Sequence, residues 1–370
     1  MGCLYSKQNS SNNTTGAKSA GYENIAQSNQ TSAESKKQSH SPQQYTWSYL
    51  GQKSKEKKEI DFSKLKAEDF LLSGFQDRVI IRRPGEILGQ AMNIDKCTNC
   101  DFYLLDNSSQ IFIDSCENCR FFIGPCSGSI FIRTSTNVKM IVACQQFRTR
   151  DCKNLELSMF CSTRPVIESS SDISFSCFAS NYIGLAQQFH EADLSVYNNH
   201  WNVVHDFTPQ VNNFKFVSSK FKITDWMKPL HTLDIGITAE EENQNEKTCP
   251  VPPTRKREDV PSNVIMFLPG RYNDAEQFIP QIITEIYQTK EHKFSKPEID
   301  ILFDKSENSS SIKQEASKGP VIVVGTNLSS MELRTKASQI VSPESFYVPS
   351  SENEAAYMAN YLFNVHRVEV

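Results

Sequence analysis

Residues 143–152, ACQQFRTRDC, place two amide side chains and two guanidinium groups within six consecutive positions, 145–150. In an extended strand alternate side chains share a face, so Gln146, Arg148 and Arg150 would lie together, with Phe147 and Thr149 on the other side. An ordinary exposed charged strand satisfies the same spacing. The chemical reading is a guanidinium fork flanked by amides on a rigid surface, suited to phosphate oxygens on a partner. Upstream, Cys97 and Cys100, and then Cys116 and Cys119, form two C-x-x-C pairs with fifteen residues between Cys100 and Cys116. That spacing is within the range of a four-cysteine zinc site, so zinc ligation and a structural role are both open at this point.

The elements that must position these residues repeat. Aligned on Asn99, Asn118, Asn137, Asn154 and Asp172, the chain shows intervals of 19, 19, 17 and 18 residues. Each unit reads as a short β run, a polar turn and a second β run, which is the signature of a solenoid, here a β-helix. Asn and Asp tolerate left-handed backbone and bond their own turn, so a stacked polar column is expected. Cys97 then has counterparts Cys116, Ser135, Cys152 and Ser171, and Cys100 has Cys119, Val138, Leu155 and Ile173. Cysteine behaves as a small buried hydrophobe in such slots. A zinc site has no need for the same positions to be filled by Val, Leu and Ile in later coils. The cysteines therefore read as structural, and no metal is expected.

The chain has 370 residues with a formal net charge of −4, 38% hydrophobic and 10% aromatic residues, and 11 cysteines. This length predicts more than one folded unit. The charge, without a basic tract beside aromatic platforms, argues against nucleic acid as a partner. No apolar run of 18 residues offers a membrane span, and the odd cysteine count fits a reducing compartment. The start, Met1-Gly2-Cys3-Leu4-Tyr5-Ser6, fits the N-myristoylation pattern at Gly2, with Cys3 placed for S-palmitoylation. Two acyl chains anchor stably where one does not. Residues 1–58 are rich in Ser, Asn and Gln and carry eight Lys against three Glu, about +5. They read as a disordered, mildly basic tether whose KSKEKK cluster (53–58) could meet anionic headgroups.

The organisation expected is a tether over 1–58, a β-helix domain over 59–235, a charged, Pro-bearing linker over 236–262 and an α/β domain over 263–370. In the last of these, 263–270, 298–303 and 319–325 read as strands. Residues 274–290 (with Pro280 as a kink), 329–341 and 351–363 read as helices, the last opened by a Ser351/Glu354 capping box.

The stacked C-x-N-C coils, ACQQFRTRDC, RPVIESSSDISFSCF (164–178) and NNHWNVVHDFTP (198–209) together resemble the tubulin-binding cofactor C domain family. The likeness covers the acylated start, QQYTWSYL (43–50), the solenoid to about residue 230 and, more weakly, the remainder. It implies a right-handed parallel β-helix that activates an Arf-like small GTPase in its GTP form. Arg148 would be the arginine finger, entering the partner's nucleotide site and stabilising the charge that develops on the transferred phosphoryl group. Gln145 and Gln146 would position it. Arg150 would serve the interface or hold the loop. Glu168 would contact the GTPase, with a plain coil-edge carboxylate as the competing reading. Thr149 departs from the β-branched apolar residue common there, and Arg164 has no assigned role.

The resemblance also implies a ferredoxin-like, nucleoside-diphosphate-kinase-like C-terminal domain. Its catalytic His is missing, because the aligned place falls near Tyr347–Val348 while His292 and His366 lie elsewhere. A phosphohistidine mechanism needs that imidazole, so a non-catalytic binding unit is expected. No intrinsic cofactor is implied, since GTP and Mg²⁺ belong to the partner. The expected address is the cytoplasmic face of the plasma membrane and the ciliary base, with a role in protein trafficking and a monomeric state. A non-catalytic effector of the GTP-bound GTPase and a tubulin-folding cofactor stand as alternatives, with tubulin or trafficking factors as further partners.

Overall fold

The structure is a computed structural model that describes residues 66–217, 223–245, 249–255, 260–304 and 309–364. The tether with Gly2 and Cys3, and His366, lie outside the described residues. The first part of the described chain winds through β1 (Leu71–Ser73), β2 (Val79–Arg82), β3 (Met92–Asp95), β4 (Asp101–Leu104), β5 (Ile111–Asp114), β6 (Arg120–Arg133), β7 (Thr136–Arg150), β8 (Lys153–Cys161), β9 (Val166–Glu168) and β10 (Ser171–Cys177). After helix α1 (Leu185–Glu191) it adds β11 (His205–Asp206) and β12 (Phe214–Phe216). These twelve strands pair in parallel as a β-helix. β6 and β7 are long because each bends at a corner and contributes a leg to two different strips. One strip runs β2, β4, first legs of β6 and β7, β8, β10, β12. The other runs β1, β3, β5, second legs of β6 and β7, β9, β11.

The corner between the strips explains the sequence period. Asp77, Asn99, Asn118, Asn137, Asn154 and Asp172 all take left-handed backbone, with φ between 53° and 58°. Their side chains form a ladder. Asn99 Nδ2 donates to Asp77 Oδ1 (2.9 Å), Asn118 to Asn99 (3.3 Å), Asn137 to Asn118 (3.0 Å) and Asn154 to Asn137 (2.8 Å). A second left-handed column, Lys96, Ser115, Thr134, Asp151 and Ser169, lies three residues earlier in each coil and was not foreseen from the sequence.

The cysteines fill core slots. Cys97, Cys100, Cys116, Cys119 and Cys152 are free thiols buried among Met92, Phe102, Phe121, Leu155 and Ile173. Each donates to main-chain carbonyls, as in Cys100 to Thr98 O at 3.3 Å and Cys116 to Asp114 O at 3.4 Å. Burial raises the thiol pKa of Cys97 and Cys100 and pushes that of Cys152 up to about 11, while a hydrogen bond from Cys116 lowers that of Cys119. One slot needs correction. The counterpart of Cys97 in the Asp172 coil is Ser170, not Ser171, because Ser171 pairs with Lys153 and leaves Ser170 opposite Cys152. Ser170 is buried and accepts from Cys152 N at 3.0 Å, just as Ser135 accepts from Cys116 N at 3.1 Å.

The two strips differ in what covers them. The β4 strip is buried on both sides. Phe102, Phe121 and Leu157 point into the solenoid, while Tyr103, Phe122, Ile141 and Phe160 pack outward against Tyr182, Leu185 and Phe189. The other strip alternates buried and partly exposed residues, as in the pattern of β5, and leaves its outer side open.

Short helices α2 (Ile223–Trp226) and α3 (Ala239–Asn245) lead to the second sheet. It comprises β13 (Asn263–Phe267), α4 (Tyr272–Phe278), β14 (Ile286–His292), α5 (Lys296–Leu302), α6 (Ser309–Ala316), β15 (Val321–Thr326), α7 (Ser330–Ser338), β16 (Phe346–Tyr347) and α8 (Glu352–Phe363). The strand order β14-β15-β13-β16, antiparallel throughout, is the ferredoxin-like arrangement.

Two expectations for this region fail. Residues 298–303 are not a strand but lie largely within α5, because Ser295 and Glu298 form a capping box and Pro297 sits in the first turn. The expected helix over 274–290 ends in a 3₁₀ turn at Ile279–Ile282, and 286–290 belong to β14. At α8, Ser351 caps Glu354 N as expected, but the Glu354 carboxylate turns to Ser350 and Tyr347 instead of completing the box.

The sheet shares one apolar cluster with the solenoid and its flanking helix, and polar contacts add to it. Thr289 Oγ1 donates to Tyr197 O (2.9 Å), Glu291 N to Asn198 Oδ1 (2.8 Å) and Trp201 Nε1 to Thr254 Oγ1 (2.8 Å). The Arg255 guanidinium lies 3.9 Å from the Tyr287 ring centre.

The ladder yields a stability order. Asn137→Ala removes two ladder bonds and puts a Cβ-bearing residue without a local partner at φ 57°, and should cost about 1–3 kcal/mol. Asn137→Gly keeps the backbone at no steric cost and should fall between wild type and alanine in urea midpoint.

Candidate functional site

The open strip carries Gln146–Arg150 of ACQQFRTRDC on the second leg of β7. Gly128, just before the second leg of β6, shapes its corner. A Cβ there would sit 2.3 Å from Ser109 O, so glycine alone lets the chain pass and deliver Ser129 beside Gln146. Along β7 the alternation expected from the sequence is present. Phe147 and Thr149 are buried, Gln146 is half-buried, and Arg148 and Arg150 are exposed. Phe147 is core. Thr149 Oγ1 donates to Ser170 Oγ at 3.2 Å, and Ser170 Oγ donates in turn to Glu168 O at 2.8 Å. The hydroxyl that departs from the expected apolar residue is thereby satisfied, and it ties β7 to β9.

In-register pairing sets the neighbours of each outward side chain. Arg148 lies between Phe131 on β6 and Val166 on β9, with His205 of β11 one strand further. Arg150 lies between Arg133 and Glu168, and the exposed Phe207, whose N–H donates to Ile167 O, follows beyond β9. The structure thus brings Gln146, Arg148, Arg150 and Glu168 onto one face. Gln145 is exposed at the corner, outside the alternating row. Its carbonyl accepts from Thr163 N at 3.0 Å and Thr163 Oγ1 at 2.9 Å, pinning the bend.

The arginines on this face are not equivalent. Arg133 pairs with Asp114 at 2.6 Å and lies over the Phe131 ring. Arg150 pairs with Asp151 at 3.4 Å. Arg148 has no carboxylate within ion-pair distance among the described residues. Beside it, Ser129 Oγ donates to Gln146 Oε1 at 2.9 Å, which fixes the amide and keeps its NH₂ as a donor. The arrangement is an exposed, uncommitted guanidinium with a held amide neighbour on a β platform, able to meet an oxyanion bidentately. Among the described residues no group of three or more His, Cys, Asp or Glu converges as a metal set. Ser129, Phe131, His205 and Phe207 were missed from the sequence, because they join the face only through neighbouring coils.

With fold and face in hand, the class is clear. The family model for tubulin binding cofactor C matches residues 89–207, so the solenoid is a cofactor-C-type domain. Protein XRP2 of Danio rerio is 34% identical over 383 aligned positions, covering 98% of both chains, and that of Homo sapiens is 36% identical over 294, covering 77% of this chain and 80% of its own. The chain therefore belongs to the XRP2 (retinitis pigmentosa 2) family. Tubulin-specific chaperone C of Bos taurus is 28% identical over 135 positions, 36% of this chain and 39% of its own. The solved tubulin binding cofactor C of Leishmania major aligns with TM-score 0.29 at 22% identity, over 33% of this chain and 85% of its own.

The Thr149–Ser170 tie can be checked by denaturation. Ser170→Ala strands buried Cys152 N and the Thr149 hydroxyl, and should cost about 1–3 kcal/mol. Thr149→Val leaves Ser170 with its other partners and should cost less than about 1 kcal/mol.

Proposed function

We propose that this protein is a membrane-anchored GTPase-activating protein that supplies Arg148 in trans to an Arf-like small GTPase. The observation that carries the reading is the contrast among the outward arginines. Arg133 and Arg150 each have a carboxylate within ion-pair distance in the chain, whereas Arg148 is exposed and unpaired among the described residues, beside an amide held by Ser129. An arginine kept for intrachain stability would be expected to have found a carboxylate. One presented on a stiff sheet is ready for charge that develops on a partner's phosphoryl group, where preorganised donors act most strongly.

In this reading Arg148 enters the nucleotide site, and Gln146 donates to the partner's backbone or phosphate next to it. Gln145 holds the corner that sets the height of the row. Arg150 and Glu168, side by side, offer opposite charges to the rim of the interface, which favours orientation over raw affinity. GTP and Mg²⁺ are the partner's. Gly2 and Cys3 carry myristoyl and palmitoyl chains that hold the domain at the cytoplasmic face of the plasma membrane and ciliary base, where the activity would time the release of trafficked cargo. By its resemblance to the nucleoside-diphosphate-kinase fold, the α/β domain has Tyr347 and Val348 near the place of the catalytic histidine, and acts as a docked binding unit.

Single-turnover GTP hydrolysis by an Arf-like GTPase tests this. Wild type should accelerate it by about 10³–10⁵-fold. Arg148→Lys keeps the charge but loses the planar fork, and should lose nearly all of that acceleration while still binding the GTP-loaded partner. If wild type binds the GTP form without accelerating hydrolysis, the protein is an effector and the role given to Arg148 is wrong.

A further inference from the structure

A cleft of about 750 Å³ lies between the solenoid and the α/β domain, well apart in role from the Arg148 row. Arg164 enters it from the turn between β8 and β9, His200 from the loop ahead of β11, and Lys290 and His292 from β14. The end of α8 supplies Tyr361 and Phe363 as an apolar wall.

Lys290 is the telling group. Burial lowers its ammonium pKa, and among the described residues no carboxylate lies within ion-pair distance of it. Glu298 is the one carboxylate lining the cleft among the described residues. It is already engaged by His292 Nε2 at 3.2 Å and by Ser295 N and Oγ at 2.7 Å each. Burial, with Lys290 and Arg164 adding like charge, holds His200 below the usual imidazole range, and His200 Nδ1 is buried without a hydrogen-bond partner. Burial and Lys290 do the same to His292. Glu298 attracts Lys290 only from beyond ion-pair distance; a half-buried cation without an ion-pair partner is costly, and its cost is offset when an anion with several acceptor oxygens occupies the space in front of it.

We propose that this interdomain cleft binds a small phosphate-bearing molecule, with Lys290 and Arg164 as its charged partners. Arg164 belongs to the solenoid and Lys290 to the sheet, so the bound anion bridges the two and fastens one to the other. None of the outward residues Gln146, Arg148, Arg150 and Glu168 lines this cleft, so anion binding here can be measured without the GTPase.

Calorimetric titration of the full chain at neutral pH without magnesium, using inorganic pyrophosphate and ATP in separate runs, tests the proposal. Wild type should bind at least one. Lys290→Met, close in length and uncharged, should weaken that binding by about tenfold to a hundredfold, and Arg164→Gln should weaken it in the same direction. The unliganded Lys290→Met protein should melt no lower than wild type, because it no longer buries an unpaired ammonium. This readout separates lost binding from lost folding. Binding of both probes identifies phosphate as sufficient. Binding of ATP alone adds the Tyr361 and Phe363 wall to the recognition. Absence of binding by wild type, or undiminished binding by Lys290→Met, overturns the proposal.

Discussion

Everything in the solenoid depends on one backbone requirement. Each coil must turn through left-handed conformations at the same place, so that the next coil lands in parallel register on the last. Asp77, Asn99, Asn118, Asn137, Asn154 and Asp172 meet it, and the bonds between successive side chains of the ladder lock neighbouring turns together. A slip of one residue would send every inward side chain outward. It would exchange Phe147 for Arg148 in the core, which no packing could tolerate. The ladder on one side of the coil therefore fixes which residues face the solvent on the other.

The unequal treatment of the strips follows. The β4 strip is apolar on both sides and must be covered, and α1 with its flanking chain does so through Tyr182, Leu185 and Phe189. The β7–β9 strip has an apolar inner side and a polar outer side, so it stands without a cover. A functional side chain placed there gains rigidity from main-chain pairing on both flanks, Phe131 on one and Val166 on the other. Less conformational entropy then remains to be lost when a partner arrives than for the same arginine on a loop.

The period, the parallel β-helix and the outward set Gln146, Arg148 and Arg150 were legible in the sequence, because left-handed Asn corners and strand alternation are local rules. The rest of the face was encoded less directly. Stepping from Arg148 by the ladder intervals of 17 and 18 reaches Phe131 and Val166, and from Arg150 it reaches Arg133 and Glu168. The information was present, but only as register between coils. Ser171 was taken for Ser170 because Ser169, Ser170 and Ser171 are identical in type, and only the Asp172 corner distinguishes them. In the α/β domain EIDILF alternates like a strand, yet its helix is set by the capping box of Ser295 and Glu298, which outweighs the alternation. Residues 286–290 lie in a strand because β15 pairs with their backbone and the carbonyl of Tyr197 in the solenoid loop accepts from Thr289. Those partners are distant in sequence.

The docking of the two parts bears on how such a face can be used. The loop that carries Tyr197, Asn198 and Trp201 is bonded to the α/β domain and its approach, and the same stretch runs on into β11, the strand that flanks β9 on the open strip. His205 and Phe207 are thus held from both sides, by the solenoid through Val166 and Ile167 and by the docked domain through the loop before them. Under the function proposed for Arg148, the surface that presents it must not yield at its rim, since a displacement of an ångström there is enough to lose most of the effect. The docked second domain meets that need through the loop it holds. It braces the last coils of the solenoid, so that the row from Phe131 to His205 behaves as one surface.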